Sequence, residues 1–257
     1  MEFDPNTPNV ARMYDYYLGG KDHFPADREA AEQILRIVPE AKLAARANRA
    51  FLGRAVRHLT DLGVRQFLDI GTGLPSQGAV HEVADGSRVV YVDLDPVVLV
   101  HARMMLDGQD NAAVQGDVRN PKEILDHPEV RRIIDFREPV AVLLVAIMHF
   151  VQESENPREI IRTLRDAMAP GSYLVLSHGT SDSRPDAVEE GTEVYSRATS
   201  PLVLRDRAGI AALFEGFELL EPGLVWLPEW RPTEEDTIDF VDDPSSSLGL
   251  CGVARRN

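Results

Sequence analysis

The run Phe67-Leu68-Asp69-Ile70-Gly71-Thr72-Gly73-Leu74-Pro75 constrains this chain more than any other. A short apolar strand, Gln66 to Ile70, carries an acid near its end. It runs into two glycines one residue apart, and a helix start follows. Glycines at such a turn let the backbone bend tightly and approach a ligand with no Cβ in the way. The next helix offers free N–H groups to a negative group. The same pattern also serves as a plain strand-to-helix connection, so its surroundings must decide.

Those surroundings alternate. Predicted strands at Arg88 to Leu94, Ala112 to Gln115, Val140 to Ile147 and Ser172 to Ser177 are separated by helical segments. The helices are expected over Ser76 to Ala84, from Pro96, and from Asn156-Pro157 through Ile160, Ile161, Leu164 and Met168 to a stop at Pro170-Gly171. This rhythm predicts a doubly wound α/β fold, a parallel sheet with right-handed crossovers. After Phe217 the helices disappear. Phe217 to Leu220, Leu224 to Leu227 and Leu248 to Val253 read as short strands of an antiparallel edge. We expect seven strands, mostly parallel. Three helices precede the sheet. One is capped by Asn9 and stopped by Gly19-Gly20, one spans Ala26 to Val38, and one spans Ala41 to Leu62. The expected division is a helical extension, 1–62, and a Rossmann-like unit, 63–257. Within the latter, a polar stretch near 179–205 with a helix at Ala187 to Ser196 follows a parallel strand, where lids usually form.

Two further acids follow the glycine turn. Asp93 ends the second strand, where a carboxylate can accept hydrogen bonds from ribose hydroxyls, with Asp95 as the alternative. Asp117, in Gly116-Asp117-Val118 after the third strand, can take the exocyclic amine of adenine. A dinucleotide site would have a third glycine where this chain has Ser76. Asp69 is also unhelpful beside a pyrophosphate, but it suits the amino group of a bound methionine. A sulfonium with an amino-acid tail and an adenosine head, S-adenosylmethionine, fits these acids better than NAD. The site residues expected to hold it are Asp69, Gly71, Thr72, Gly73, Asp93, Leu94, Asp117, Val118 and Ala146.

Composition narrows the partners. The chain has 257 residues, enough for one large α/β domain. Its 42 acidic against 27 basic residues give a formal charge of −15, which repels phosphate backbones and anionic lipid. We therefore expect no nucleic acid and no membrane partner. Cys251 is the single cysteine, no Cys/His cluster suggests a metal, and Met1 to Asn9 has no signal-peptide character. The expected location is the cytoplasm. A homodimer is left open.

The acid-x-Gly-x-Gly turn followed by Asp93 and Asp117 resembles the class I S-adenosylmethionine-dependent methyltransferases. The run Ala11 to Phe24, with Tyr14-Asp15-Tyr16-Tyr17 and Gly19-Gly20-Lys21-Asp22-His23, is more distinctive. With Gly71 to Pro75, His81-Glu82-Val83-Ala84 and Val140 to Phe150, it resembles the bacterial DUF574, or S-adenosyl methyltransferase, family over nearly the whole chain. Pro75 departs from the wider class, which often has a third glycine there. The resemblance implies methyl transfer from S-adenosylmethionine and an N-terminal segment lying over the cofactor; the acceptor is expected to be a small molecule, its identity left open. In that setting Tyr14 to Phe24 would wall the site, with Tyr17 among the residues that hold the cofactor. His149, Tyr14 and His23 are the catalytic candidates, and His178 is a further one. Arg46, Asn48 or Arg49 would reach the cofactor carboxylate. A binding module without turnover is the alternative. A nicotinamide reductase is disfavoured by the missing glycine and by the lack of a Tyr-x-x-x-Lys motif.

Overall fold

The computed structural model describes residues 4–74, 78–106, 110–234 and 239–257. Eight strands form one sheet: β1 Gln66–Ile70, β2 Arg88–Asp93, β3 Asn111–Gln115, β4 Ala141–Val145, β5 Tyr173–Gly179, β6 Glu218–Leu219, β7 Val225–Trp226 and β8 Gly249–Arg255. The order is β3-β2-β1-β4-β5-β8-β6, with β7 also on β8. β1 to β5 pair in parallel, and β8 runs antiparallel to β5. Eight strands replace the seven expected for a simple reason. β6 pairs with Ala254 and Arg255 while β7 pairs with Leu250 and Cys251, so both share one edge of β8. The sheet is thus seven positions wide.

Alternation along the strands builds two cores. Leu68, Ile70, Val90, Val92, Val142 and Leu144 face one side, against α6 (Pro121–Asp126), α7 (Pro128–Ile133) and α8 (Pro157–Ala167). Phe67, Val89, Tyr91, Ala141, Leu143 and Val175 face the other, against α3 (Ala41–Asp61) and α5 (Pro96–Met105). Both faces are covered, which is why these strands read as continuous apolar runs. On α3, Phe51, Ala55 and Leu59 are fully buried, so this helix shares its core with the sheet. Leu43, near the start of this helix, is exposed.

Local ends follow local chemistry. Asn9 Oδ1 accepts from the Ala11 and Arg12 amides and starts α1 (Val10–Leu18), which Gly19 ends at φ +83°. α2 covers Pro25–Ile37. The helix expected over Ser76 to Ala84 is α4, Val80–Val83, and residues 75–77 lie outside the described residues. β4 stops at Val145, short of the expected Ile147, because Ala146 turns to φ +56°. The polar stretch after β5 contains α9, Val188–Ser196. Its Val194 joins Met13, Tyr17, Ala30, Ala31 and Ile34 in a third apolar cluster, so α1, α2 and α9 form one roof. Backbone contact extends this, since the Thr199 amide donates to Pro8 O at 2.9 Å.

A buried acid ties the roof together. Asp27 is fully buried and accepts from the amides of Asn9 (2.8 Å) and Phe24 (2.7 Å) and from Arg12 Nε (2.8 Å). Arg12 in turn reaches across to Asp95, with Nη1 to Oδ2 at 3.6 Å. Removing one member of a buried ion pair strands the other, at a cost of about 3–5 kcal/mol. Asp27→Ala is expected to lower stability to urea by that amount. A loss below about 1 kcal/mol, the exposed-pair range, would show that Asp27 does not hold the roof.

Candidate functional site

The strand order reverses around β1, with β2 on one side and β4 on the other. In open α/β sheets ligands bind outside the carboxyl ends of the strands at such a point. Here those ends open into a cavity of about 600 Å³, roofed by the N-terminal segment, α1, α3 and the stretch after β5. Its volume lies in the range of small-molecule sites. Asp69, Gly71, Thr72, Gly73, Asp93, Leu94, Asp117, Val118, Ala146, Tyr14, Tyr17, His149 and His178 all line it. Sequence positions spread over more than a hundred residues therefore meet in one space.

The acids differ in environment. Asp69 ends up buried beside the glycine turn, accepting from Thr72 Oγ1 at 3.1 Å. Burial pushes its carboxyl up to about 6, against the pull of the Arg49 guanidinium. Asp93 is also buried and pushed up to about 6 by burial, although it accepts from the amides of Gly73 and Asp95, each at 2.9 Å. Asp95 is otherwise occupied. Its Oδ1 caps α5 through the Val97 amide, and its other oxygen faces Arg12. Asp117 is gripped by Arg119 through Nε and Nη2 at 2.7–3.0 Å. Burial raises its carboxyl, but the Arg119 hydrogen bonds outweigh this and hold it below the ordinary carboxylate range.

The glycines are required where they stand. Gly71 has φ +76°, and a Cβ there would lie 2.5 Å from Ile147 Cγ1. Gly73 has φ +66° with nothing within 4 Å of its Cβ position, so its half-buried backbone borders open cavity. Arg49 lines the same end, and its buried Nε has no hydrogen-bond partner. Asn48 lines the cavity too, whereas Arg46 does not.

On the far side, hydroxyl and imidazole groups are mostly committed. Tyr14 donates its hydroxyl to Ala45 O (3.0 Å) and accepts from Asn48 Nδ2 (2.8 Å). Ser177 Oγ donates to Asn48 Oδ1 (2.6 Å) and accepts from the Ala146 amide (2.9 Å). The chain of bonds thus runs from α1 to the residue that ends β4. The Tyr17 and Tyr195 hydroxyls lie 3.4 Å apart, and both are pushed above the usual phenol range by burial. His149 Nδ1 accepts from the Gly179 amide at 3.1 Å, and burial holds the ring well below the usual imidazole range. His178 is pushed down to about 4 by burial, with Nδ1 on Gly179 O (2.6 Å) and Nε2 on Arg205 Nη1 (2.7 Å).

His23 departs from expectation and stands outside the cavity lining, as do Lys21 and Asp22. The Gly19-Gly20 turn folds this piece back on α1. The Asp22 amide donates to Asp15 Oδ2 (3.0 Å), His23 Nε2 meets Gly20 O (3.2 Å), and its ring packs edge-on against Tyr16. The wall of the cavity is built instead from residues further upstream, Asn9 to Arg12, together with Tyr14 and Tyr17. Arg12, Ser177 and Arg119 line the cavity without having been singled out from the sequence, and Arg205 backs it through His178. Arg119, two residues after Asp117 in a turn, had a readable local signal; the others are joined only by the fold.

Among the described residues no helix is long and apolar enough to cross a membrane, and no group of three or more His, Cys, Asp or Glu could hold a metal. No curated protein matches the chain. Among solved structures, a DUF574 family protein from Streptomyces avermitilis MA-4680 shares 39% identity, with a TM-score of 0.93 and 99% of each chain covered. A candidate methyltransferase from Thermobifida fusca YX also shares 39% identity, with a TM-score of 0.91, covering 98% of this chain and 96% of that one. The N-methyltransferase NodS from Bradyrhizobium japonicum WM9, in complex with S-adenosylhomocysteine, has a TM-score of 0.50 at 15% identity. It covers 95% of this chain and 98% of that one, a likeness of fold alone. The S-adenosyl methyltransferase family profile matches residues 1–257. With the doubly wound sheet and its cavity at the strand ends, this makes the chain a member of the S-adenosyl methyltransferase (DUF574) family, a methyltransferase whose family implies S-adenosylmethionine as methyl donor.

Proposed function

We propose that this enzyme moves a methyl group from S-adenosylmethionine to a small-molecule acceptor inside the roofed cavity. The observation that carries the reading is the pair of buried carboxylates, Asp69 and Asp93, at one end of a cavity that continues past Ala146 to Tyr195. A buried carboxylate without a cationic partner is costly unless a ligand supplies the missing charge or donors. The methionine amino group suits Asp69, and the ribose hydroxyls suit Asp93. Asp95 is less apt because it caps α5 and faces Arg12. Asp117 and Val118 would take the adenine. Arg49, whose Nε is buried and unpartnered, would take the carboxylate. Thr72, the Gly71 and Gly73 backbone, Leu94 and Ala146 would line the body of the cofactor.

Bound there, S-adenosylmethionine supplies an electrophilic methyl group. The protein's share is to align the acceptor with it and exclude water, since orientation accounts for much of such an acceleration. Tyr17, under the roof, can face a sulfonium through its ring. In this reading residues 1–62 act as cap, 63–257 as the binding unit and 179–205 as lid, and the enzyme works in the cytoplasm. Space beyond the cofactor end favours turnover over a binding module, because a module needs no room for an acceptor.

Loss of a charged hydrogen-bond partner costs about 1–3 kcal/mol. Asp93→Ala should therefore weaken S-adenosylmethionine by that amount in calorimetric titration, and unchanged affinity would refute the assignment.

Asp69 gives a pH signature. Because burial raises its folded-state value to about 6, the group favours folding below the ordinary carboxylate range and loses that favour as pH rises through 6. Asp69→Asn is thus expected to melt higher than the parent at pH 8, the gap closing toward pH 4, while binding S-adenosylmethionine more weakly. A variant that is less stable at pH 8 and binds normally would contradict both parts.

A further inference from the structure

Among the described residues, the acceptor half of the cavity contains no free base. His149 Nδ1 accepts from a backbone N–H, a group that can only donate, so a neutral His149 must carry its proton on Nε2. His178 is fixed the opposite way. Arg205 Nη1, also a donor only, points at its Nε2, which leaves Nδ1–H for Gly179 O. The charged groups facing this histidine pair are Arg205 and, behind it, Glu153, which accepts from Arg205 Nε at 2.7 Å. A guanidinium beside the pair opposes protonation of either ring, and burial acts in the same direction. The Tyr14 proton is spent on Ala45 O. Tyr17 and Tyr195 share a hydrogen bond. Of the remaining lining carboxylates, Asp69 and Asp93 lie at the cofactor end, Asp117 is held by Arg119, Asp95 caps α5, and Asp4 is hydrogen-bonded by Asn6 and Thr7.

Resting on the function proposed above, we infer that His149 serves as a hydrogen-bond donor and not as a base, and that the acceptor is a small apolar molecule whose attacking atom arrives with its lone pair already free. A neutral heteroaromatic nitrogen or an already ionised oxygen has that property; an aliphatic alcohol does not. The walls agree with an apolar body, since Phe150, Leu202, Leu204 and Tyr195 line the same cavity as His149, with the Phe150 ring 4.5 Å from the imidazole. The acceptor's lone pair forms the new bond to the methyl carbon. The carbon–sulfur bond breaks with its electron pair left on sulfur, giving a neutral thioether. A neutral nitrogen becomes a methylated cation and an anionic oxygen becomes neutral, so no proton has to leave at this step. His149 Nε2–H binds a second lone pair on the acceptor, on an oxygen or nitrogen other than the pair that attacks, and orients it.

Histidine nitrogen NMR on the full-length protein saturated with S-adenosylhomocysteine tests this, with His149 assigned through its contact to the Gly179 amide. The expected result is a neutral Nε2–H ring that does not titrate between pH 5.5 and 9. A Nδ1–H ring, or titration near neutral pH, overturns the inference. The same sample is then titrated with quinoline, which offers a nitrogen lone pair, and with indole, which offers an N–H on a similar apolar body. Quinoline should bind at least tenfold tighter and shift the His149 Nε2 signal. Equal binding, tighter indole, or no binding of either at millimolar concentration overturns the acceptor class. Failure of S-adenosylhomocysteine to bind is seen separately in the calorimeter and counts against the function proposed above, while the His149 tautomer is still read in the free protein.

Discussion

Asp69 and Asp93 stand at the carboxyl ends of adjacent parallel strands, and both carboxylates are buried. Among the described residues each makes hydrogen bonds only to a nearby hydroxyl or to backbone amides, and each is pushed up to about 6. Such a pair is not what a fold selects for stability, because an ionised acid loses solvation that neutral donors only partly replace. It is what a site needs when its ligand brings a cation and hydroxyl donors. The glycine turn, the reversal of strand order at β1 and the roof all serve to keep these two acids dry and facing one space.

The roof is coupled to that space by polar contacts as well as by packing. Arg12 joins Asp27 in the cap to Asp95 at the end of β2. Tyr14, Asn48 and Ser177 join α1 to Ala146, whose left-handed backbone is a conformation that costs an ordinary residue about 1–2 kcal/mol. Strain of this kind survives where the surroundings fix it, and it clusters at functional sites. Ala146 lines the cavity just beyond β4, so the bonds that hold the roof also set the position of the β4 end.

Much of this was legible in the chain because it is local. The acid-x-Gly-x-Gly turn, the acids that follow the second and third strands, the Asn9 cap and the Gly19 stop each depend on a few neighbours. The antiparallel edge could be read from the loss of helices after Phe217. What escaped depends on distance. Asp27 and Arg12 are fifteen residues apart on different helices, and nothing in either neighbourhood marks them as partners. Arg205 meets His178 only because the stretch after β5 returns to the strand ends. Val140 to Ile147 reads as one apolar strand because the positive φ at Ala146 leaves no trace in an alanine. His23 lies outside the cavity lining for a related reason, since the glycine break turns the residues after it back on α1.

The central claim is that the buried acids face the methyl donor under the N-terminal roof. A crystal structure of the full chain with S-adenosylhomocysteine tests it most directly. The account predicts the amino group on Asp69, the ribose hydroxyls on Asp93, the adenine beside Asp117 and Val118, and the sulfur turned toward Tyr17 and His149. Ligand bound away from Asp69 and Asp93, or lying outside the roof formed by α1 and α9, would contradict it.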